Sequence, residues 1–372
     1  MGPQAVILVG GEGTRLRPLT SRHPKPVIPL VDRPFLVYML EWLRGHGVDD
    51  VILCCGFAPT KVEAALGDGS ALGIRLRYVV EPEPRGTAGA LKFAEDLLGD
   101  RFIALNGDIL TDFDLAAQIG QHEATGAIGT LGLVPVEDPS AYGLVLLDEQ
   151  RAVTGFLEKP SADELAGVAD YLISAGIYVL EKRVLDLVPP DRNVSIEREV
   201  WPRLVGEGLH GFPDREAYWM DIGTPDRYLQ GTFDILEGNV RTGVLDRMAD
   251  GFLAVDGDVN GGGRIVPPAV VGSGCSVAPG AHVGSLVVLG AGVTVGAGSR
   301  VERSVVLDGA TVGARCELTD CIVAPGARIA DGVVVRGGAV LGEEVLVGEG
   351  NVLAHGIKVF PGTELPAGAI KF

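Results

Sequence analysis

The segment GGEGTRLRPLT, residues 10–20, sets glycines beside arginines directly after an apolar run. Gly10, Gly11 and Gly13 leave backbone N–H groups open to phosphate oxygens, with no side chain in the way. Two familiar phosphate loops do not fit. GxGxxG would need glycine where Leu16 stands, and GxxxxGK[ST] counted from Gly10 would need it at Arg15. The local charge still favours an anion. The first 31 residues hold Arg15, Arg17, Arg22 and Lys25 against Glu12 alone, in a chain of formal charge −18. A guanidinium such as Arg15 grips phosphate with a two-pronged fork, and an ammonium such as Lys25 acts as a compact charge. Two carboxylates close apolar runs far apart in sequence, Asp108 after RFIALNG and Asp221 after AYWM. Carboxylates at two strand ends can meet and hold Mg²⁺ together with phosphate oxygens and water. Taken singly, each would serve equally as a turn former or helix cap.

Elements able to position these groups alternate along the first half. Residues 5–9 form a buried strand candidate, and 35–46 a helix with Asp32 as cap and Pro34 at its start. Further β-rich runs cover 51–55, 74–80 and 101–105, with helical stretches near 60–66 and 87–98. Strand–helix alternation predicts an α/β domain, a Rossmann-like, mixed and mostly parallel sheet with helices on both faces. Loops at the carboxyl ends of such strands are the expected ligand site.

The second half is a different kind of sequence. Residues 251–372 hold 25 of the 54 glycines but only three aromatics, Phe252, Phe360 and Phe372. Ile265, Val271, Val277, Val283, Leu289, Val295, Val301 and Leu307 recur at six-residue intervals. After a register shift, Val323, Ile329, Val335, Leu341, Val347, Leu353, Val359 and Leu365 resume the beat. Neither a helix nor a simple strand repeats at six, whereas hexapeptide repeats wind into a parallel β-helix. The boundary is expected within 238–251, dividing a domain over 1–240 from a β-helix over 252–372.

Composition excludes several functions. Net acidity argues against duplex nucleic acid and anionic membranes as partners. No uncharged apolar run reaches the ~20 residues that span a bilayer, and residues 1–10 lack the pattern of a secretory signal. Five cysteines without CxxC pairing read as reduced core residues, which predicts a cytoplasmic protein.

LVGGEGTRLRPLT followed by HPKPVIPL resembles the opening of the sugar-phosphate nucleotidyltransferases, the sugar-nucleotide pyrophosphorylases. EPEPRGTAGAL, NGD, GFLEKP, ISAGIYVL, SIEREVWP and YWMDIGTPDRY follow in that family's order, covering about residues 5–235. Many members also carry a left-handed β-helix. Among members, the chain is most similar to those that guanylylate mannose-1-phosphate.

The resemblance implies attack by a sugar-1-phosphate on the α-phosphorus of a nucleoside triphosphate, with release of pyrophosphate. Arg15 and Lys25 match the residues that hold the triphosphate and stabilise the leaving group. Gly10, Gly11, Gly13, Thr14, Gly86, Thr87, Asn106 and Gly107 fall at nucleotide-binding positions. Gly143, Glu158, Lys159 and Ser174 fall at sugar-phosphate positions, and Asp108 and Asp221 at those of Mg²⁺. Neighbours along a strand, such as Glu158 and Lys159, point to opposite faces unless Pro160 or a bulge redirects one. Ser174 stands where the family more often has Asn, so its reach toward the sugar is shorter.

Glu81 addresses the base. Guanine offers two adjacent donors, N1–H and the N2 amino group, which one carboxylate can accept together, whereas relatives using uracil or thymine usually have Gln here. The expected substrates are GTP and mannose-1-phosphate, with a glucose-1-phosphate enzyme using dTTP or UTP as the alternative. Two other classes compete: a hexapeptide acyltransferase using His282 or His355, and a regulatory subunit of the same fold without activity. The lack of a long inserted loop between coils disfavours the first, and intact Arg15, Lys25, Asp108, Lys159 and Asp221 disfavour the second. The β-helix is expected to pack copies into a homo-oligomer.

Overall fold

The computed structural model describes residues 2–165, 167–168, 170–248, 252–254 and 259–371. In chain order come β1 (Gln4–Leu8), β2 (Pro29–Leu30), β3 (Arg33–Pro34), α1 (Phe35–Gly45), β4 (Asp50–Cys55), α2 (Pro59–Leu66) and β5 (Arg75–Val80). There follow α3 (Gly86–Phe93), β6 (Arg101–Asn106), β7 (Ile109–Thr111), α4 (Leu115–Thr125), β8 (Gly129–Pro135), β9 (Gly143–Leu147) and β10 (Val153–Glu158). Then come β11 (Leu172–Glu181), α5 (Trp201–Leu204), β12 (Leu209–Pro213), β13 (Trp219–Asp221) and α6 (Pro225–Glu237). Two expected ends move: Pro34 lies in β3 rather than in the helix, and α3 stops at Phe93, before a separate 3₁₀ turn over Glu95–Leu97.

Contacts divide the chain into two compact units. One joins the residues up to Glu12 with Leu36–Trp219, the other joins Gly13–Phe35 with the chain from Met220 onward. The compositional change near residue 240 is therefore not where the contacts divide.

In the first unit a nine-stranded sheet runs β10-β9-β11-β6-β1-β4-β5, with β8 beside β11 and β12 beside β8. β1, β4, β5 and β6 are mutually parallel, and β11 reverses against β6. Ala5, Val6, Ile7 and all of residues 51–55 are fully buried, the both-sided apolar character that a central parallel strand requires. From β1 the chain winds one way through β4 and β5, then returns through α3 to β6 on the other side of β1. The carboxyl ends of β1 and β6 thus flank a topological switch point, where open α/β sheets bind ligands. Beyond β11, the fully buried Trp201 meets Tyr178 edge-on at 5.1 Å.

The repeats in the second unit stack as parallel strands in three sheets, the arrangement of a left-handed β-helix. Val271 lies under Leu289, Val277 under Val295 and Val283 under Val301, each pair one coil apart. The six-residue beat puts Leu307 in the stack, but Val306 takes that place, between Leu289 and Val323. The reason is a shortened coil. The step from Val301 to Val306 turns at Arg303 and the step from Leu318 to Val323 turns at Asp320, both in the left-handed backbone region. Arg303 and Asp320 also pair, at 2.8 Å. All five cysteines are buried with free thiols, as their apolar setting predicts.

Candidate active site

Residues from four strand ends gather at the switch point of the first unit. Gly10 and Gly11 follow β1, Gly56 follows β4, Glu81 follows β5, and Asn106, Gly107 and Asp108 close β6. Asp108 does not sit at the strand terminus itself; the strand stops at Asn106, and a turn carries the half-buried Asp108 into β7. The backbones here approach too closely for side chains. A Cβ on Gly56 would lie 2.8 Å from the Gly10 carbonyl oxygen, and one on Gly107 would lie 2.7 Å from that of Leu8. The Gly107 N–H donates to the Leu8 carbonyl at 3.0 Å, fixing this turn against the end of β1.

Glu81 is 9% exposed. Its Oε2 accepts the Arg85 N–H at 3.1 Å, and its Oε1 lies 3.5 Å from the Cβ position of Gly10. Burial raises its carboxyl above the usual range, while the Arg85 N–H and the Arg85 charge pull the other way. Gly86 adopts φ +71°, and a side chain there would run into the Val194 carbonyl at 2.6 Å. The Thr87 hydroxyl is occupied within the protein, donating to Glu197 at 2.9 Å and accepting the Ile196 N–H at 2.8 Å.

The expected sugar residues lie together on the same unit. Gly143 and Glu158 are register partners of β9 and β10. The Gly143 Cβ position is 2.6 Å from the Phe156 ring and 3.2 Å from Glu158 Oε2, so the protein itself requires glycine there. The geometric conflict between Glu158 and Lys159 is resolved by the backbone. Lys159 has φ +53° and donates its N–H to the Tyr142 carbonyl at 2.9 Å, which breaks the strand alternation directly after Glu158. Burial first, then the Glu197 charge, raise the Glu158 carboxyl above the usual range, opposed by Lys159 and Arg198. Ser174 precedes an irregularity in β11, where Gly176 has φ +71°, and donates to the Tyr178 hydroxyl at 3.2 Å. A Cβ on Gly176 would sit 2.7 Å from Asn106 Nδ2, so β11 and the end of β6 interlock.

Gly13, Thr14, Arg15, Lys25 and Asp221 belong to the second unit. Gly13 has φ +62° and precedes the 3₁₀ turn Thr14–Leu16. The Thr20 hydroxyl donates to its carbonyl at 2.7 Å, and its Cβ position lies 3.3 Å from the Cβ of the buried Lys25. Thr14 and Arg15 are exposed. Arg15 and Asp221 converge on Gly223, whose Cβ would be 3.0 Å from Arg15 Nη2 and 3.0 Å from Asp221 Oδ2. The other Asp221 oxygen, Oδ1, pairs with Arg227. Arg22, one of the four cations near the glycine loop, is engaged elsewhere. It pairs with Glu344 at 2.6 Å and Glu343 at 3.5 Å, and His23 lies 3.0 Å from Glu343.

Residues 4–238 match the family described as Nucleotidyl transferase, and residues 265–369 match the GMPPB C-terminal domain. The chain belongs to the nucleotidyltransferase family. It is 39% identical over 312 residues to the mannose-1-phosphate guanylyltransferase of Mycobacterium tuberculosis, covering 82% of each chain. It is 35% identical to the probable mannose-1-phosphate guanylyltransferase 1 of Oryza sativa subsp. japonica, covering 99% of this chain and 98% of that protein. Among solved structures it resembles HddC from Yersinia pseudotuberculosis complexed with GMP-PN, at TM-score 0.54 and 28% identity. That likeness covers 63% of this chain and all of the other.

For a nucleotidyltransferase the donor set bears on the metal. Among the described residues no group of three or more His, Cys, Asp or Glu forms a ready-made cage. Mg²⁺ characteristically takes one or two protein carboxylates and fills its other positions with water and phosphate oxygens. Asp108 in the first unit and Asp221 in the second are each half-buried, and a carboxylate is the hard oxygen donor this ion takes. Sequence reasoning missed Glu197, Arg227 and Gly223. SIEREVWP and YWMDIGTPDRY contain all three, but their partners lie far along the chain or depend on a turn.

Proposed function

We propose that the chain transfers GMP from GTP to mannose-1-phosphate, forming GDP-mannose and pyrophosphate. A phosphate oxygen of the sugar attacks the α-phosphorus, and the bond to the bridging oxygen of the β-phosphate breaks. Both reactants are anions, so the rate depends on alignment and on neutralising charge rather than on a protein nucleophile. Arg15 and Lys25 take the triphosphate and the departing pyrophosphate. The backbones of Gly10, Gly11, Gly13 and Thr14 cradle phosphate oxygens. Asn106 and Gly107 border the nucleotide, and Gly86 and Thr87 offer backbone groups to the base. Gly143, Glu158 and Ser174 receive the sugar, and Lys159 its phosphate. Asp108 and Asp221 would hold Mg²⁺, which when bound offsets the charge gathered on the phosphates.

The observation that carries the guanine assignment is Glu81, a buried acceptor at the end of β5 and beside Gly10. The names of the relatives, and the guanine nucleotide bound to the Yersinia pseudotuberculosis protein, support the same choice. Residues 1–240 are assigned the chemistry and 252–372 the packing of further copies, in a cytoplasmic enzyme. Pyrophosphate release, measured for every nucleoside triphosphate against mannose- and glucose-1-phosphate, tests this. GTP with mannose-1-phosphate should give the highest kcat/KM; preference for UTP or dTTP would overturn the base assignment, and no turnover with any pair would favour a regulatory subunit.

A further inference from the structure

The site residues assigned so far do not include the carboxylate of Glu197. Glu197 lies in the π-helical turn Ile196–Val200 that follows the Ser195 cap. Its Oε2 accepts two hydroxyl hydrogen bonds, from Thr87 at 2.9 Å and Ser195 at 2.8 Å. The direction of both is forced. Thr87 Oγ1 already accepts the Ile196 N–H at 2.8 Å, and Ser195 Oγ accepts that of Arg198 at 3.3 Å, so each hydroxyl proton is turned toward Glu197. The segment is itself fixed to the start of α3. Ala88 and Gly89 donate to the Val194 carbonyl at 2.9 and 3.3 Å, and Val194 donates to the Arg85 carbonyl at 2.8 Å.

Oε2 is therefore held in place, while Oε1 has no hydrogen bond within the described residues. The turn packs against β10, the strand that ends at Glu158, and the nearby charges agree with that placement. Glu197 follows burial as the leading influence on the Glu158 carboxyl, and both carboxylates bear on the Tyr178 phenol. Glu158 likewise has no hydrogen-bond donor among the described residues. Two half-buried carboxylates on packed elements thus leave acceptors open, and a polyhydroxylated ligand supplies donors in a row.

We propose that Glu197 is a second sugar-binding carboxylate, whose Oε1 accepts a hydroxyl of the sugar-1-phosphate near Glu158. This rests on the sugar nucleotidyl transfer proposed above. The decisive variant is Glu197→Gln. Two hydroxyl protons still demand an acceptor at the Oε2 position, so the amide oxygen must stay there and the NH₂ is presented in place of Oε1. The anchor to Thr87 and Ser195 survives and only the atom shown to the ligand changes, from acceptor to donor. The KM for mannose-1-phosphate should rise roughly tenfold to a hundredfold, as for loss of a charge-assisted hydrogen bond, with the KM for GTP nearly unchanged. A series of singly deoxygenated mannose-1-phosphates gives the second readout. In the wild type one deoxy position should carry the same penalty, and Glu197→Gln should add little to it. An active wild type whose Glu197→Gln variant keeps its sugar-phosphate KM would overturn the proposal, as would parallel rises in both KM values. A wild type inactive on every sugar phosphate would instead refute the transferase reading, and this inference with it.

Discussion

Glu81→Gln should cost guanine its place. The Arg85 N–H, 3.1 Å from Oε2, needs an acceptor, so the amide oxygen of the substituted side chain would take that position and its NH₂ the position near Gly10. A donor then faces the donor edge of guanine. At a position only 9% exposed, water cannot mediate the mismatch. Loss of one charge-assisted hydrogen bond costs about 1.5–3 kcal/mol, and a donor left facing a donor about 1–3 more. The sum, roughly 2.5–6 kcal/mol, corresponds to about two to four orders of magnitude in kcat/KM for GTP. The uracil edge, one donor between acceptors, suits an amide, so UTP turnover should rise relative to GTP. Pyrophosphate release with GTP and UTP in parallel measures the exchange. A pH series supplies an internal check. Burial holds the Glu81 carboxyl above the usual range, so protonation on acidification converts an acceptor into a donor; Glu158, raised as well, is assigned to the sugar and bears on the KM for mannose-1-phosphate instead. The KM for GTP should therefore climb as pH falls through that raised value, a limb absent from Glu81→Gln. If the variant keeps GTP preference within a factor of about three, the reasoning from buried acceptor to base identity is wrong.

Two further expectations concern the metal and the interlock below the site. Asp108→Asn and Asp221→Asn should each lower turnover by at least about a hundredfold, with circular dichroism and thermal midpoint little changed; activity surviving both changes would remove the metal assignment. Gly176→Ala should destabilise the protein by about 2–4 kcal/mol, combining left-handed backbone strain with a forced shift of Asn106. Urea denaturation would show this as a lowered midpoint, and an unchanged midpoint would mean that Asn106 moves aside at little cost.

What the sequence revealed was mostly local. Apolar runs such as residues 51–55 are buried on both faces and became parallel strands, because their composition leaves no solvent side. The six-residue beat located the β-helix, yet it failed at Leu307, since the step from Val301 to the stacked Val306 is one residue short of the beat and the neighbouring Leu307 is equally apolar. Lys159 illustrates a different limit. Strand periodicity sends adjacent side chains apart, and only a positive φ at a residue type that rarely adopts it cancels that rule. The motif residues themselves were legible, since Gly10, Glu81, Gly107 and Asp108 follow runs that could be read as strands. Their partners were not. Glu197 reaches Thr87 across 110 positions, and Arg22 reaches Glu344 across 322, separations for which propensity and pattern carry no information.

The Arg22 pairing bears on how such a protein can be rebuilt. Composition marks a seam near residue 240, the obvious place to exchange one repeat array for another or to shorten the chain. Yet Gly13–Phe35, which includes Arg15 and Lys25, shares a compact unit with the coils, and Arg22 and His23 grip Glu343 and Glu344 near the far end of the array. A graft made at the visible seam would separate this stretch from its anchors. A chimera built from this chain should therefore carry residues 13–35 and its coils from the same parent.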